Sequence, residues 1–229
     1  SKLDCNLSTS PVMRVGFLSP SLLIVGQFDG TLSVVAVPEG EILTQMPLPG
    51  PLWDLSVSIS KRSVFIASHK NVVLSYEWDP MAMRLLESTR YRIPSGENGK
   101  ASALHCVQLS PSGTWLAAGD DLGRLLLWHT EDPDHAFAES SERHDVFQRT
   151  HRVLPDWMQR TWTGMQFFDE ERQISTWGRD GNLKFWRRNN APTSRDFQIP
   201  VGAILRNAPG QPGCLWIAGP NEIQLHDIK

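Results

Sequence analysis

The sequence predicts an all-β fold made of repeated antiparallel sheets, and three observations carry that prediction. First, the stretch 104–128 spells three strands and two reversals. Its run Leu104–Leu109 alternates, with Leu104, Cys106 and Gln108 on one face and His105, Val107 and Leu109 on the other. Ser110-Pro111-Ser112-Gly113 is a turn, because proline pre-sets φ at the second position and glycine supplies positive φ at the end. Strands at 115–119 and 124–128 then flank a second reversal. Second, the same pattern recurs about five times along the chain. Third, the turns between second and third strands, at Gly30, Asn71, Gly123, Gly181 and Asn221, lie about 41, 52, 58 and 40 residues apart. A period of about 40 residues with four short strands per unit is the signature of a β-propeller.

Taken in order, the first copy has strands at 12–18, 22–27, 31–37 and 41–46, with Asp29-Gly30 as its tight turn. The second has strands at 52–59, 63–68, 72–78 and 84–89, turning at Lys70-Asn71. The third is the 104–128 stretch. The fourth has strands at 162–168, 173–177 and 182–186 around Arg179-Asp180-Gly181, with an outer strand near 197–199. The fifth has strands at 201–206, 214–218 and 222–227, turning at Pro220-Asn221. Short strands with Gly/Pro turns also suit a β-sandwich, but the period favours the propeller. The chain reads as one domain over 1–229, with a loop inserted between blades at 129–161. About five blades make a tight ring. The expectation is therefore a fragment of a larger ring, or a ring completed by a partner chain.

Composition narrows the function classes. A net charge of −3 lacks the basic excess of a protein whose main task is neutralising nucleic-acid phosphates, although a local patch can still do so. Three cysteines, Cys5, Cys106 and Cys214, are far apart and odd in number, which points to reduced thiols and a reducing compartment. No apolar run approaches the roughly 20 residues of a membrane span, and the first residues lack the apolar core of a signal peptide. A soluble chain without membrane insertion, not secreted and resident in the nucleus or cytoplasm, is expected.

The strand-three turns carry a resemblance. GDDLGRLLLW, ending at Trp128, and GRDGNLKFW, ending at Trp186, resemble the close of a WD40 repeat, and QFDGTLSVV at 27–35 is similar but weaker. The WD40 family builds a buried hydrogen-bonded set from a turn Asp, a strand-two Ser or Thr, a strand-three Trp and a His. By that resemblance Asp180, Thr176 and Trp186 occupy three of these positions. The third copy keeps Trp128 but has Leu122 and Ala118 in place of the Asp and Ser, so its blade is expected to rely on apolar packing. The family's rings usually have about seven blades. The segment WTGMQFFDEERQISTWGRDGNLKFWRR followed by FQIPVGAI further resembles the WD-repeat subunits of the nucleolar small-subunit processome. That resemblance implies a role in ribosome biogenesis, a nucleolar site, and partners that include other propeller or helical proteins and pre-ribosomal RNA.

Two departures from the repeat stand out. The 129–161 insertion is acidic in its first half and basic in its second, and reads as a surface loop with one helical turn around 136–143. Loops on a rigid scaffold are where binding residues concentrate, so it is also a candidate partner site. Its histidines, His129, His135, His144 and His151, lack the paired spacing of zinc ligands. The second departure is a cationic cluster: Arg149, Arg152, Arg160, Arg172, Arg179, Lys184, Arg187 and Arg188, interleaved with Trp157, Trp162 and Trp177. Basic residues among aromatics grip phosphates and stack bases, while Asp169, Glu170 and Glu171 offer the plainer reading of a balanced, solvated rim.

Motifs that carry chemistry are absent from the sequence: no phosphate-binding glycine loop, no nucleophile elbow, no His-Glu-x-x-His and no Cys-x-x-Cys. His105 and Cys106 are adjacent, and adjacent strand residues point to opposite faces. No catalytic residue, metal or cofactor is expected. The leading reading is a non-catalytic scaffold that holds protein subunits, and RNA, in a multi-subunit assembly. The alternatives are a peptide-reading propeller of a chromatin, trafficking or ubiquitin-ligase complex, and a hydrolase or lyase with carboxylates converging in a central channel.

Overall fold

The computed structural model describes residues 7, 9–68, 72–93, 103–120, 123–136, 138–139, 162–168, 170–178, 182–187, 197–199, 204–207, 214–218 and 223–227. All the regular elements among them are strands, and they form five antiparallel sheets in chain order. The first sheet holds β1 (Val12–Ser19), β2 (Leu22–Gln27), β3 (Thr31–Ala36) and β4 (Ile42–Pro47). The second holds β5 (Leu52–Ser58), β6 (Ser63–Ser68), β7 (Val72–Asp79) and β8 (Arg84–Arg92). The third holds β9 (Leu104–Leu109), β10 (Trp115–Asp120), β11 (Leu125–His129) and β12 (Ala138–Glu139). The fourth holds β13 (Trp162–Phe168), β14 (Gln173–Gly178), β15 (Asn182–Arg187) and β16 (Phe197–Gln198). The fifth holds β17 (Ile204–Asn207), β18 (Cys214–Ala218) and β19 (Ile223–Asp227).

The all-β class and the order of strands agree with the sequence. Two differences are informative. Ala138–Glu139 is a strand, where a helical turn is expected at 136–143; it pairs with Leu126 and Leu127 of β11. The outer edge of β11 carries backbone groups in an apolar setting, and a strand satisfies them where a helical turn would not. Strand β8 also runs three residues past its expected end at Thr89. The cause is Tyr91, which packs on Phe65 and Trp128 and donates from its hydroxyl to Thr130 O at 2.9 Å. The expected turns at Lys70-Asn71, Arg179-Asp180-Gly181 and Pro220-Asn221 lie outside the described residues.

Sheets pack through their first strands. β1 lies against β5, β5 against β9, β9 against β13, and β13 against β17. Between successive sheets lie four apolar clusters. Leu18, Ile24 and Val34 meet Leu55, Ile66 and Tyr76 at the first seam, and Phe65, Val73 and Tyr91 meet Val107, Leu116 and Trp128 at the second. Cys106, Ala117 and Leu127 then meet Met165, Ile174 and Trp186, while Trp177, Leu183 and Phe185 meet Leu205, Leu215 and Ile217. Each middle sheet is thus buried on both faces, so β6 reads SVFIAS with every side chain buried instead of alternating. Among the described residues no helix is long and apolar enough to cross a membrane.

Close approach of the first two sheets depends on a missing side chain. A Cβ on Gly26 would stand 2.5 and 2.9 Å from the two Leu52 methyl carbons of the next sheet. Gly30 serves the turn instead, with φ +86° and Asp29 Oδ1 accepting from Thr31 N at 2.9 Å. Gly26→Ala should therefore cost about 1–3 kcal/mol by overpacking, seen as a lower urea midpoint. An unchanged midpoint would mean that the seam does not close this tightly.

Candidate functional site

Polar side chains enter the apolar stack at a few built positions, and the first ties three sheets together. Strand β5 alternates so that Asp54 and Ser56 point toward β9. Asp54 Oδ2 accepts from Val107 N at 3.1 Å, and Ser56 Oγ accepts from Leu109 N at 2.9 Å. Asp54 Oδ1 takes Arg14 Nε of β1 at 2.6 Å and its neighbour Leu55 N at 3.0 Å. Burial nevertheless wins over these partners and raises the Asp54 carboxyl above its ordinary value of 3.8.

A second position is the strand-two hydroxyl and strand-three indole of the fourth sheet. Trp186 Nε1 donates to Thr176 Oγ1 at 2.7 Å, and both side chains are buried. Register explains the reach: Ile174 pairs with Trp186 and Thr176 with Lys184, so the indole leans diagonally across one step of the ladder. In the third sheet Leu116 pairs with Trp128 and Ala118 with Leu126, which puts Ala118 at the place of Thr176. Trp128 is fully buried, and its Nε1 has no hydrogen-bond partner among the described residues. Apolar packing against Tyr91 and Ala118 holds it instead. Asp180 lies outside the described residues.

The third position has no counterpart among the residues that the sequence patterns mark. Asp120 and Arg124 form an ion pair at the β10–β11 turn, with Arg124 Nε 2.7 Å from Asp120 Oδ2 and side-chain exposures of 2% and 0%. Arg124 N also donates to Asp120 Oδ1 at 2.9 Å. An acid at a reversal reads from the sequence as hairpin chemistry, and its pairing with Arg124 becomes visible only in the structure.

Of the cationic cluster, Arg187 is exposed at the end of β15, opposite Gln173. Arg172 precedes that residue and pairs with Glu170 at 3.4 Å. Arg149, Arg152, Arg160, Arg179 and Arg188 lie outside the described residues, as do His144 and His151. His129 stacks edge-on against Trp115 with ring centroids 5.2 Å apart, and His135 Nδ1 meets Asp132 Oδ1 at 3.0 Å. Cys106 faces the fourth sheet, where burial pushes its thiol well up, while His105 lies against Trp53 of the second sheet at 5.8 Å between centroids. The two face opposite neighbours, so they form no nucleophile and base pair. Among the described residues no group of three or more His, Cys, Asp or Glu converges as a metal site would.

No protein-family model matches the chain, and no curated protein matches it.

Two outcomes follow from these positions. Thr176→Val strands the Trp186 donor in an apolar cluster and should cost about 1–3 kcal/mol, whereas Ala118→Ser offers Trp128 an acceptor and should gain about 1 kcal/mol. Urea unfolding of both variants checks the pair; equal effects would deny the different roles of the two tryptophans. For Asp54 the folded carboxyl holds its proton to a higher pH than the unfolded one, whose value is near 3.8. Above that pH the folded state therefore binds more protons than the unfolded chain, and stability from this residue falls as pH rises toward the folded value. Wild type should lose stability relative to Asp54→Asn across this window, in denaturant midpoints taken at successive pH values. A constant difference would remove the assignment.

Proposed function

We propose that the chain is a WD40-like β-propeller scaffold, without catalysis of its own, that joins protein subunits in a multi-subunit assembly and contacts RNA. The observation that carries this reading is the succession of five antiparallel sheets packed first strand against first strand. Such a stack makes a rigid body whose loops and edges are free to take partners. The Thr176–Trp186 hydrogen bond adds support, since it joins two side chains at positions the WD40 resemblance marks. Ribosome biogenesis in the nucleus is the assembly suggested by the likeness of 162–204 to processome subunits, and exposed Arg187 suits an RNA contact.

Affinity capture from nuclear extract, with and without ribonuclease, tests the assembly. Recovery of other propeller proteins together with structured RNA is expected, and recovery of vesicle-coat or ubiquitin-ligase subunits instead would overturn it. Charge reversal at Arg187 with Arg149, Arg152, Arg160, Arg179 and Arg188 should weaken RNA binding. The salt slope should shrink by about 0.7 for each single-strand phosphate that the variant no longer neutralises. Unchanged RNA affinity would sink the RNA part and leave the protein scaffold standing.

A further inference from the structure

We infer that Ser112 is a phosphorylation site that works as a latch between the third and fourth sheets. Its turn, Ser110 to Gly113, projects from the third sheet and is flanked by opposite charges from its two neighbours. On one side Ser112 Oγ donates to Glu171 Oε2 at 2.6 Å, and Ser112 N donates to Glu171 Oε1. On the other side Lys61, from the β5–β6 turn of the second sheet, donates from Nζ to Gly113 O at 3.4 Å. Ser112 is exposed. Its neighbour Ser110 is buried, so the hydroxyl within reach of an incoming enzyme is that of Ser112.

The acceptor side is held under strain. Glu170 and Glu171 have φ of +53° and +66°, a region that L side chains with a Cβ enter at a cost of about 1–2 kcal/mol per residue. Consecutive left-handed residues normally call for Asn-Gly. Here two glutamates adopt that shape, as Arg62 and Met83 do singly at other turns, and Glu171 also carries the contact with Ser112. Strain of this kind persists where surrounding interactions enforce it, and it is released when they are removed.

In the modification, a protein kinase would transfer the γ-phosphoryl group of a nucleoside triphosphate to Ser112 Oγ. The Oγ–P bond forms, the bond from that phosphorus to the bridging oxygen breaks, the nucleoside diphosphate leaves, and the hydroxyl proton passes to the kinase base or solvent. The product removes the Oγ–H donor and sets a dianion of about −1.5 to −2 charge against the Glu171 carboxylate. Repulsion frees the Glu170-Glu171 turn to relax, and the phosphate turns toward Lys61. The third sheet thereby exchanges its tie to the fourth sheet for one to the second. This holds whatever the assembled surface binds.

The test uses the 229-residue chain with phosphoserine incorporated at position 112, followed by amide hydrogen exchange. Exchange across 170–174 should quicken about tenfold, as expected when a charge-assisted hydrogen bond is removed. Ser112→Ala keeps the N–H bond to Glu171 and should quicken it less. Glu171→Gln in the phosphorylated chain should restore slow exchange, because its amide donates to the phosphate. No quickening, equal quickening in Ser112→Ala, or no restoration by Glu171→Gln would each overturn the latch. A phosphorylated peptide containing Ser112 from the protein's own cells supports the modification; an unmodified peptide, with phosphatases inhibited, refutes it.

Discussion

Strand β9 has one backbone edge paired to β10, and on its other edge Val107 N and Leu109 N reach acceptors in the second sheet. The rest of the structure depends on that second edge being satisfied. At the seam of the second and third sheets, Asp54 and Ser56 supply the acceptors that Val107 N and Leu109 N require. Apolar faces alone could slide over one another at little cost, since hydrophobic burial has no direction. A side chain hydrogen-bonded to a particular backbone N–H fixes the offset, and a carboxylate does so most firmly because charged acceptors make the stronger bonds. Arg14 extends the same tie back to the first sheet.

The seams also determine what each sheet can do alone. A sheet buried on both faces has no stable existence without its neighbours, as in other stacked repeats. The terminal sheets show the converse: Val15 and Phe17 of β1 are 58% and 51% exposed, and Ile223 of β19 is 70% exposed. Outer edges are managed differently. Strand β8 carries Arg84, Arg90 and Arg92 exposed along its length, and charge on an edge strand discourages pairing with another chain.

Strand order and the turns at Asp29-Gly30 and Ser110 to Gly113 are legible in the sequence because their signals are local. Asp29-Gly30 and Ser110-Pro111-Ser112-Gly113 dictate reversals whatever surrounds them. Faces are harder to read. Burial on both sides removes the alternation that tells one face from the other, so β6 and β11 identify themselves as strands without indicating what they touch. The Thr176–Trp186 bond is readable through a family pattern, and the absence of its counterpart at Ala118 and Trp128 is readable the same way. The Asp54 tie is not, because its partners Arg14 and Val107 lie 40 and 53 residues away along the chain. The strand at Ala138–Glu139 is hidden for a related reason: its cause is the outer edge of β11 and not its own composition.

The distribution of tryptophan has an optical consequence. The chain holds nine, and none falls between residues 11 and 47, so the first sheet is dark in indole fluorescence. Trp53 and Trp78 belong to the second sheet, Trp115 and Trp128 to the third, Trp162, Trp177 and Trp186 to the fourth, and Trp216 to the fifth. Their settings differ in polarity: Trp186 is hydrogen-bonded within an apolar cluster, Trp128 is buried against a phenol ring, and Trp216 is 39% exposed. Replacing all but one by phenylalanine would leave a single emitter in a chosen sheet. Emission spectra would then show whether the stack comes apart as one body or sheet by sheet from an end.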